Sequence, residues 1–227
     1  MKHDMTNIAY TPEYQARRQA WDFVFAPEHL QSTGEFSLDD GYTCLRRSYQ
    51  GKSGIYNITE SETVLNDAAG AEVYRWRDMD NGGEFAALIH HSNGRAYLLF
   101  RIDLYGYGVF DLAAKKDFFY APKAPETFIW TGVHYSLQAD MLAVEGCYWA
   151  CPNGLFLVEF SEPMRESKWV DVIDLLDGDY DNYDAADFVR WDGDALVVKA
   201  DRIIETNGKI TTIPEEITID RKQFAGG

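Results

Sequence analysis

The chain has 227 residues, of which 46% are hydrophobic and 26% are charged, a balance typical of a folded domain and unlike that of a disordered segment. Its 37 acidic residues against 21 lysines and arginines give a formal net charge of −16, which repels phosphate polyanions and anionic membrane surfaces. We therefore expect neither nucleic acid nor membrane among its partners.

The N-terminal region carries a helix signal. Thr11 is a suitable cap, Pro12 suits the first helical position, and Glu13 suits the first turn. Residues 1–35 are therefore expected to form a helical segment packed on the main domain. The first twenty residues lack the apolar core of a signal peptide, and three cysteines are an odd number for a disulfide framework. These features predict a cytoplasmic protein with reduced thiols.

From about Phe36 onward, the chain changes to short apolar or alternating runs that are cut by Gly, Asn and Asp, a pattern typical of strands. Several runs are separated by dipeptides that accept positive φ in tight hairpins. These dipeptides are Asn93-Gly94, Asn153-Gly154, Asp192-Gly193 and Asn207-Gly208. Strands joined by such turns are antiparallel, so the sequence predicts an all-β antiparallel meander, in one domain over residues 36–227.

The central part of the chain contains a weak internal repeat. The stretch FAALIHHSNGRAYLLF at 85–100 aligns with FIWTGVHYSLQADMLAV at 128–144, and a looser third copy lies at 188–200. Each of the first two copies is followed by a further apolar run. This pattern resembles the blades of β-propellers of the WD-repeat type, although the Gly-His and Trp-Asp dipeptides of that family are absent. The resemblance implies a propeller-like fold; a β-sandwich is the alternative.

One apolar stretch, LAVEGCYWACPN at 142–153, contains a single charged residue, Glu145. If this carboxylate is buried, its pKa is shifted or it has a cationic partner, as in active sites. Alternatively it lies at a strand bulge beside Gly146 and reaches solvent. Cys147 and Cys151 are too far apart on an extended strand for a disulfide or a shared zinc ion. Packing thiols are therefore favoured over a metal or redox site.

Three residues form a candidate catalytic group: His134, Asp140 and Glu145. His134 lies near the end of a predicted strand, where propeller-like folds place side chains that contact ligands. A histidine oriented by a carboxylate can act as a general base, which would fit a hydrolase or a sugar-processing enzyme. His90 and His91 are adjacent and point to opposite faces of a strand, so they cannot both serve one site. No nucleophile motif such as GxSxG accompanies these residues.

Residues 169–188 contain seven aspartates and no basic residue. Asp177, Asp179 and Asp181 match the first three ligand positions of an EF-hand-like loop, which makes Ca²⁺ a candidate cofactor. Asn182 stands where that motif has glycine, and Phe188 stands where it has the bidentate glutamate. A solvated acidic loop without any cofactor is the alternative.

Four tyrosines fall in Gly- or Asp-rich segments and are candidates for an exposed binding face: Tyr105, Tyr107, Tyr180 and Tyr183. Tyrosine is a common anchor at interfaces. Together with the acidic charge, this favours a protein-interaction or ligand-binding module over an enzyme. The expected partner is a basic protein or a small molecule.

Overall fold

The structure is a computed structural model that describes residues 4–79, 85–124, 127–148, 153–177 and 179–224. Strands dominate, and they form four antiparallel sheets of three or four strands, each in simple meander order. A nine-residue helix precedes them near the N-terminus. The all-β class, the meander and the short N-terminal helix are therefore confirmed. In these ranges no helix has the length and apolar character needed to cross a membrane.

The N-terminal helix α1 spans Pro12–Ala20 and begins as the sequence predicts. The Thr11 hydroxyl accepts a hydrogen bond from the backbone N–H of Tyr14 at 3.3 Å, which satisfies one of the free donors of the first turn. The buried Tyr14 hydroxyl donates to the Asp103 carboxylate at 2.5 Å. Arg18 donates to two backbone carbonyl groups outside the helix. The helix is thus fixed by polar contacts as well as by packing.

The chain divides into two compact units. Unit 1 comprises Met1–Ile89 and Arg95–Pro125, and unit 2 comprises His90–Gly94 and Glu126–Gly227. Each unit is described by itself below. The expected division into residues 1–35 and 36–227 stays a prediction.

Unit 1 contains two four-stranded sheets. The first consists of β1 (Leu30–Ser37), β2 (Thr43–Ser53), β3 (Tyr56–Asn66) and β4 (Glu72–Met79). The second consists of β5 (Ala86–His90), β6 (Ala96–Arg101), β7 (Tyr107–Asp111) and β8 (Lys116–Tyr120). Short 3-10 turns lie at Asp22–Phe25, Pro27–His29 and Asp39–Gly41. Leu65, Leu98 and Phe100 have no exposed surface and lie in the unit's core, where burial of apolar area stabilises the fold.

Unit 2 contains a four-stranded and a three-stranded sheet. The first consists of β9 (Ile129–Ser136), β10 (Met141–Cys147), β11 (Asn153–Glu159) and β12 (Trp169–Asp171). The second consists of β13 (Tyr183–Asp192), β14 (Ala195–Thr206) and β15 (Lys209–Ile219). One 3-10 turn and two short helices complete the unit: Ile173–Leu175, α2 (Asp179–Asn182) and α3 (Arg221–Phe224). Its core is built around fully buried leucines of β11 and β14.

The internal repeat corresponds to hairpins. The β5–β6 and β9–β10 hairpins carry the first two copies, and the matched residues Leu98 and Leu142 are both fully buried. The looser third copy is the β13–β14 hairpin, with Gly193 at φ 64° in its turn. The predicted turn at Asn153-Gly154 is wrong, because these residues begin β11 and pair with β10. Gly154 lies opposite Gly146 there, where both face the Phe128 ring.

Candidate functional site

His134 on β9 and Glu145 on β10 form a pair at the surface of unit 2. Nε2 of His134 lies 3.0 Å from Oε2 of Glu145, and the two side chains are 36% and 39% exposed. The imidazole ring stacks on the Phe188 ring, with centroids 3.8 Å apart and planes 5° apart. The indole N–H of Trp191 donates to the backbone carbonyl of His134. The histidine ring thus contacts the Glu145 carboxylate through its edge and the Phe188 ring through its face.

Glu145 is half-buried and lies opposite a bulge of β9, where Gly132 and Trp130 pair with Glu145 and Gly146 and Thr131 is left unpaired. The register of β10 against β9 shifts between Glu145 and Gly146, and such an irregularity redirects a side chain. The carboxylate also packs over Gly132, where an added Cβ would come within 2.9 Å of Oε2. Of the two alternatives for Glu145, the structure agrees with the one in which the carboxylate reaches solvent, but the bulge belongs to β9 and not to the strand that carries Glu145.

Asp140 belongs to a different group of side chains. Its Oδ1 accepts a hydrogen bond from the Tyr135 hydroxyl at 2.7 Å and lies 3.8 Å from Nε2 of His91. Burial would raise the pKa of Asp140, but hydrogen bonds from Ser92 and Tyr135 outweigh that effect and lower it. Because Tyr135 follows His134 along the strand, the two side chains face opposite sides of the sheet. The structure therefore brings His134 to Glu145 but does not bring Asp140 to either.

The other histidines and cysteines do not join this pair. His90 is exposed, whereas His91 is buried and donates from Nε2 to the Phe160 carbonyl at 2.7 Å. Cys44 and Cys147 are free thiols, the first buried and the second half-buried. Burial raises the pKa of the Cys44 thiol to about 12, which makes it a poor nucleophile. Cys151 lies outside the described residues.

The four candidate tyrosines occupy different environments. Tyr107 and Tyr183 are 3% and 2% exposed, because each begins a strand and turns its ring inward. The prediction that these two rings belong to an exposed face is therefore wrong. Tyr105 is half-buried. Tyr180 is 51% exposed, and its hydroxyl donates to Asp171 at 2.6 Å. Of the four, Tyr180 is the ring that presents most surface to solvent.

The candidate calcium ligands lie around the short helix α2. Asp177 and Asp181 are exposed, while Asp179 begins the helix and its side chain lies outside the described residues. Among the side chains that the structure describes, no group of three His, Cys, Asp or Glu is arranged to hold a metal ion. The calcium site therefore stays a prediction.

A pocket of about 440 Å³ lies within unit 2, a size typical of ligand pockets. Its apolar floor is formed by Leu175, Leu176 and Ile217. Residues 215–219 of β15 all line it. Because alternate residues of a strand point to opposite faces, five consecutive lining residues mean that the pocket follows the edge of the sheet. Within the described chain, β15 pairs with β14 alone.

A trio of polar side chains forms one wall of this pocket. The Tyr183 hydroxyl donates to Oε1 of Glu215 at 2.7 Å, and Nε of Arg202 donates to the same oxygen at 3.0 Å. Arg202 also donates to the Tyr183 hydroxyl at 2.6 Å. Hydrogen bonds from Arg202 and Tyr183 lower the pKa of Glu215. The trio is internally satisfied and keeps the carboxylate ionised.

The pocket lining carries more negative than positive charge. Among the described lining residues, the carboxylates are Asp177, Glu215 and Glu216, and the one cation is Arg202, which pairs with Glu215 at 2.8 Å. Glu216 pairs with Arg190 at 3.0 Å. Among the described side chains, none makes an ion pair or hydrogen bond with the Asp177 carboxylate, which Arg202 attracts from a longer distance. The arrangement therefore favours a ligand that brings a positive charge.

Sequence reasoning pointed to Asp177 and Tyr183 but missed Arg202 and Glu215. A signal for them existed in the Asn207-Gly208 turn. Counting outward from that turn pairs Ala200 with Glu215. Arg202 lies two residues after Ala200 and therefore on the same face of the sheet, so Arg202 and Glu215 are diagonal neighbours. Opposite charges at such diagonal positions are within reach of each other.

No protein-family model matches the chain, and no curated protein matches its sequence. In structure the chain is similar to the acylaminoacyl peptidase of Pyrococcus horikoshii in its orthorhombic crystal form, with a TM-score of 0.38 and 10% sequence identity. The likeness covers 83% of this chain and 32% of the peptidase chain. The chain thus spans about a third of the length of that structure.

Proposed function

We propose that this protein is a binding module that recognises a basic protein partner through the acidic segment, residues 174–187, and the pocket beside it in unit 2. The observation that carries the proposal is the exposure of five aspartates in a segment that contains no Lys or Arg. These are Asp174, Asp177, Asp181, Asp184 and Asp187. Their charges are not neutralised within the segment, so they are available to an outside cation.

Physical arguments favour a basic partner. A net charge of −16 attracts cationic proteins over several ångströms and accelerates their association at low salt. The exposed ring of Tyr180 lies within the segment and offers apolar area of the kind that anchors interfaces. A small cationic molecule in the pocket is the other member of the same ligand class.

The proposal includes a cytoplasmic location and no resident cofactor. The free thiols of Cys44 and Cys147 support a reducing compartment, where disulfides are rare. The acidic segment then serves for recognition instead of calcium binding.

The test compares two charge-matched variants. The first is Asp181→Asn with Asp184→Asn in the acidic segment; the second is Glu28→Gln with Glu35→Gln, two exposed positions of unit 1. Binding of a short synthetic peptide rich in lysine and arginine is measured by calorimetry at low and at high salt. Since exposed ion pairs contribute about 0.2–1 kcal/mol each, we expect the first variant to bind about fivefold more weakly than the second.

Equal affinities of the two variants would contradict the proposal, because total charge alone would then explain binding. Failure of the unmodified protein to bind the peptide at low salt would contradict it as well. Thermal melts of both variants check that the folds are intact.

The hydrolase or sugar-processing alternative is favoured by one observation, the His134–Glu145 pair. It predicts that the purified protein cleaves chromogenic esters or glycosides and that His134→Gln abolishes the cleavage. Activity that persists in this variant, or no activity with either substrate class, would overturn it.

A further inference from the structure

The outer edge of β15 is open along the pocket. The strand is the last of its sheet and pairs with β14 alone within the described residues. Edge strands present unpaired backbone N–H and C=O groups, on which another extended chain can add a strand. The pocket follows this edge from Glu215 to Ile219, so one ligand can contact both the outer backbone groups of β15 and the pocket.

Pro214 indicates which backbone groups face outward. It lies opposite Asp201 in the ladder with β14, and proline has no N–H to donate to a neighbouring strand. We therefore expect its nitrogen to face away from β14. Backbone direction alternates along a strand, so the N–H and C=O groups of Glu216 and Thr218 also face outward, beside the pocket.

Charge and apolar surface set the type of side chain that fits. In the described part of the chain, Glu215 and Glu216 form close ion pairs with arginines. Asp177 on the pocket lining forms no such close pair, and Arg202, which is bound to Glu215, attracts it only from a longer distance. Below it, Leu176 and Ile217 offer an apolar floor. Lysine and arginine bury methylene stems on such surfaces while their charged ends meet a carboxylate.

We infer that an extended segment of the basic partner pairs with the outer edge of β15 over residues 215–219 and places one arginine or lysine side chain in the pocket against Asp177. The inference rests on the proposed function and specifies its binding mode. A volume of about 440 Å³ holds the basic side chain together with parts of its neighbours in the segment. The backbone pairing supplies affinity, and the pocket supplies the preference for a cation.

The probe is a short blocked peptide with one central arginine between valines, and the protein is the full chain. Three changes are compared by calorimetry: Asp177→Asn in the protein, citrulline for arginine in the peptide, and N-methylation of the peptide amides. We expect Asp177→Asn to weaken binding about fivefold and to have no effect on the citrulline peptide. N-methylation should weaken binding about tenfold or more, because it removes the strand pairing.

Glu35→Gln is the matched control, since this exposed glutamate of unit 1 lies outside both the acidic segment and the pocket. If Asp177→Asn and Glu35→Gln weaken binding equally, or if N-methylation has no effect, the inference is wrong while the proposed function still stands. If the lysine- and arginine-rich peptide described above also fails to bind, both are wrong.

Amide hydrogen exchange locates the bound peptide. We expect added peptide to slow exchange at Glu216 and Thr218, and slowing elsewhere instead would overturn the inference. Exchange at these amides could instead be slow without peptide and become slower as the protein concentration rises. That result would show that a second copy of the chain covers the edge, and it would overturn the inference too.

Discussion

Gly146 is a residue whose missing side chain is required by the fold. It lies in β10 opposite Trp130 and Gly154, and an added Cβ would overlap the carbonyl oxygen of Ile129 and the ring of Phe128. A backbone oxygen cannot turn aside as a flexible side chain can, so the strands would have to separate. The requirement explains why glycine stands at this position of β10.

We expect Gly146→Ala to lower the free energy of unfolding by about 1–3 kcal/mol through overpacking. The measurement is urea denaturation. Gly154→Ala on the facing strand is the matched control, because its Cβ would meet only the Phe128 ring at 3.3 Å and that ring can shift. Equal losses in the two variants would contradict the explanation.

Asp78 is a buried acid of unit 1 whose ionisation depends on its surroundings. Burial raises its pKa from 3.8 to about 7, against the lowering effects of Arg101, Arg46 and Arg18, while Asp103 raises it further. Among the described residues, the Oδ1 atom has no hydrogen-bond partner, and Nε of Arg101 lies 3.6 Å from Oδ2. Desolvation therefore outweighs attraction by the arginines.

The sign of the pH dependence follows from this shift. Because the folded pKa lies above the unfolded one, the folded state holds the proton more tightly, and its contribution to stability is lost as pH rises from about 4 to about 7. We expect a loss on the order of a few kcal/mol over this range from this group. Denaturation at several pH values should show the fall in the unmodified protein and a flatter profile in Asp78→Asn. Identical profiles would contradict the assignment.

At the scale of elements, the helix α1 depends on its cap. The Thr11 hydroxyl accepts from the N–H of Tyr14 and donates to the carbonyl of Ile8 at 2.9 Å. Thr11→Ala removes both bonds and should lower the free energy of unfolding by about 1 kcal/mol. Thr11→Ser keeps the hydroxyl and should stay close to the unmodified protein in a thermal melt. A serine variant as unstable as the alanine variant would show that the methyl group matters more than the cap.

Much of the β architecture could be predicted from local sequence, and the exceptions have a physical reason. Alternating apolar runs with Asp-Gly or Asn-Gly turns identified hairpins such as β13–β14. The strand β1 was not identified, because LQSTGEFS is mostly exposed and polar and owes its extended form to pairing with β2. The local sequence pattern does not reveal this pairing, because strand formation depends on neighbours across the sheet.

At the scale of the whole molecule, the candidate site depends on register. His134 meets Glu145, and Arg202 meets Glu215, because strand pairing puts each pair on one face of its sheet. Residue types alone grouped Asp140 with His134 and could not separate them, since the separation arises from the two faces of β9. The pocket adds Asp177, which lies in a loop far from β15 in sequence. Composition therefore led to the proposed charge of the ligand, whereas the proposed binding position required the structure.

The net charge of −16 has a consequence for the stability of the whole molecule. Like charges repel one another in the compact state, and the screening length falls to about 10 Å at 0.1 M salt. We therefore expect the melting temperature to rise by a few degrees when NaCl is raised from about 0.01 M to about 0.2 M, while binding of a basic peptide weakens. Calorimetric melts over a salt series measure the first effect, and titrations over the same series measure the second.

Melting temperatures measured in CaCl₂ and in NaCl distinguish general screening of charge from a specific calcium site. At matched ionic strength, CaCl₂ should raise the melting temperature no more than NaCl does, because we propose recognition as the role of the acidic segment and the described carboxylates form no metal cluster. A specific site would instead add a stabilisation that grows with the logarithm of calcium concentration and is reversed by a chelator. That result would return Asp177, Asp179 and Asp181 to the role of metal ligands. It would also mean that a basic partner and the ion compete for Asp177, so calcium would weaken peptide binding more than NaCl does.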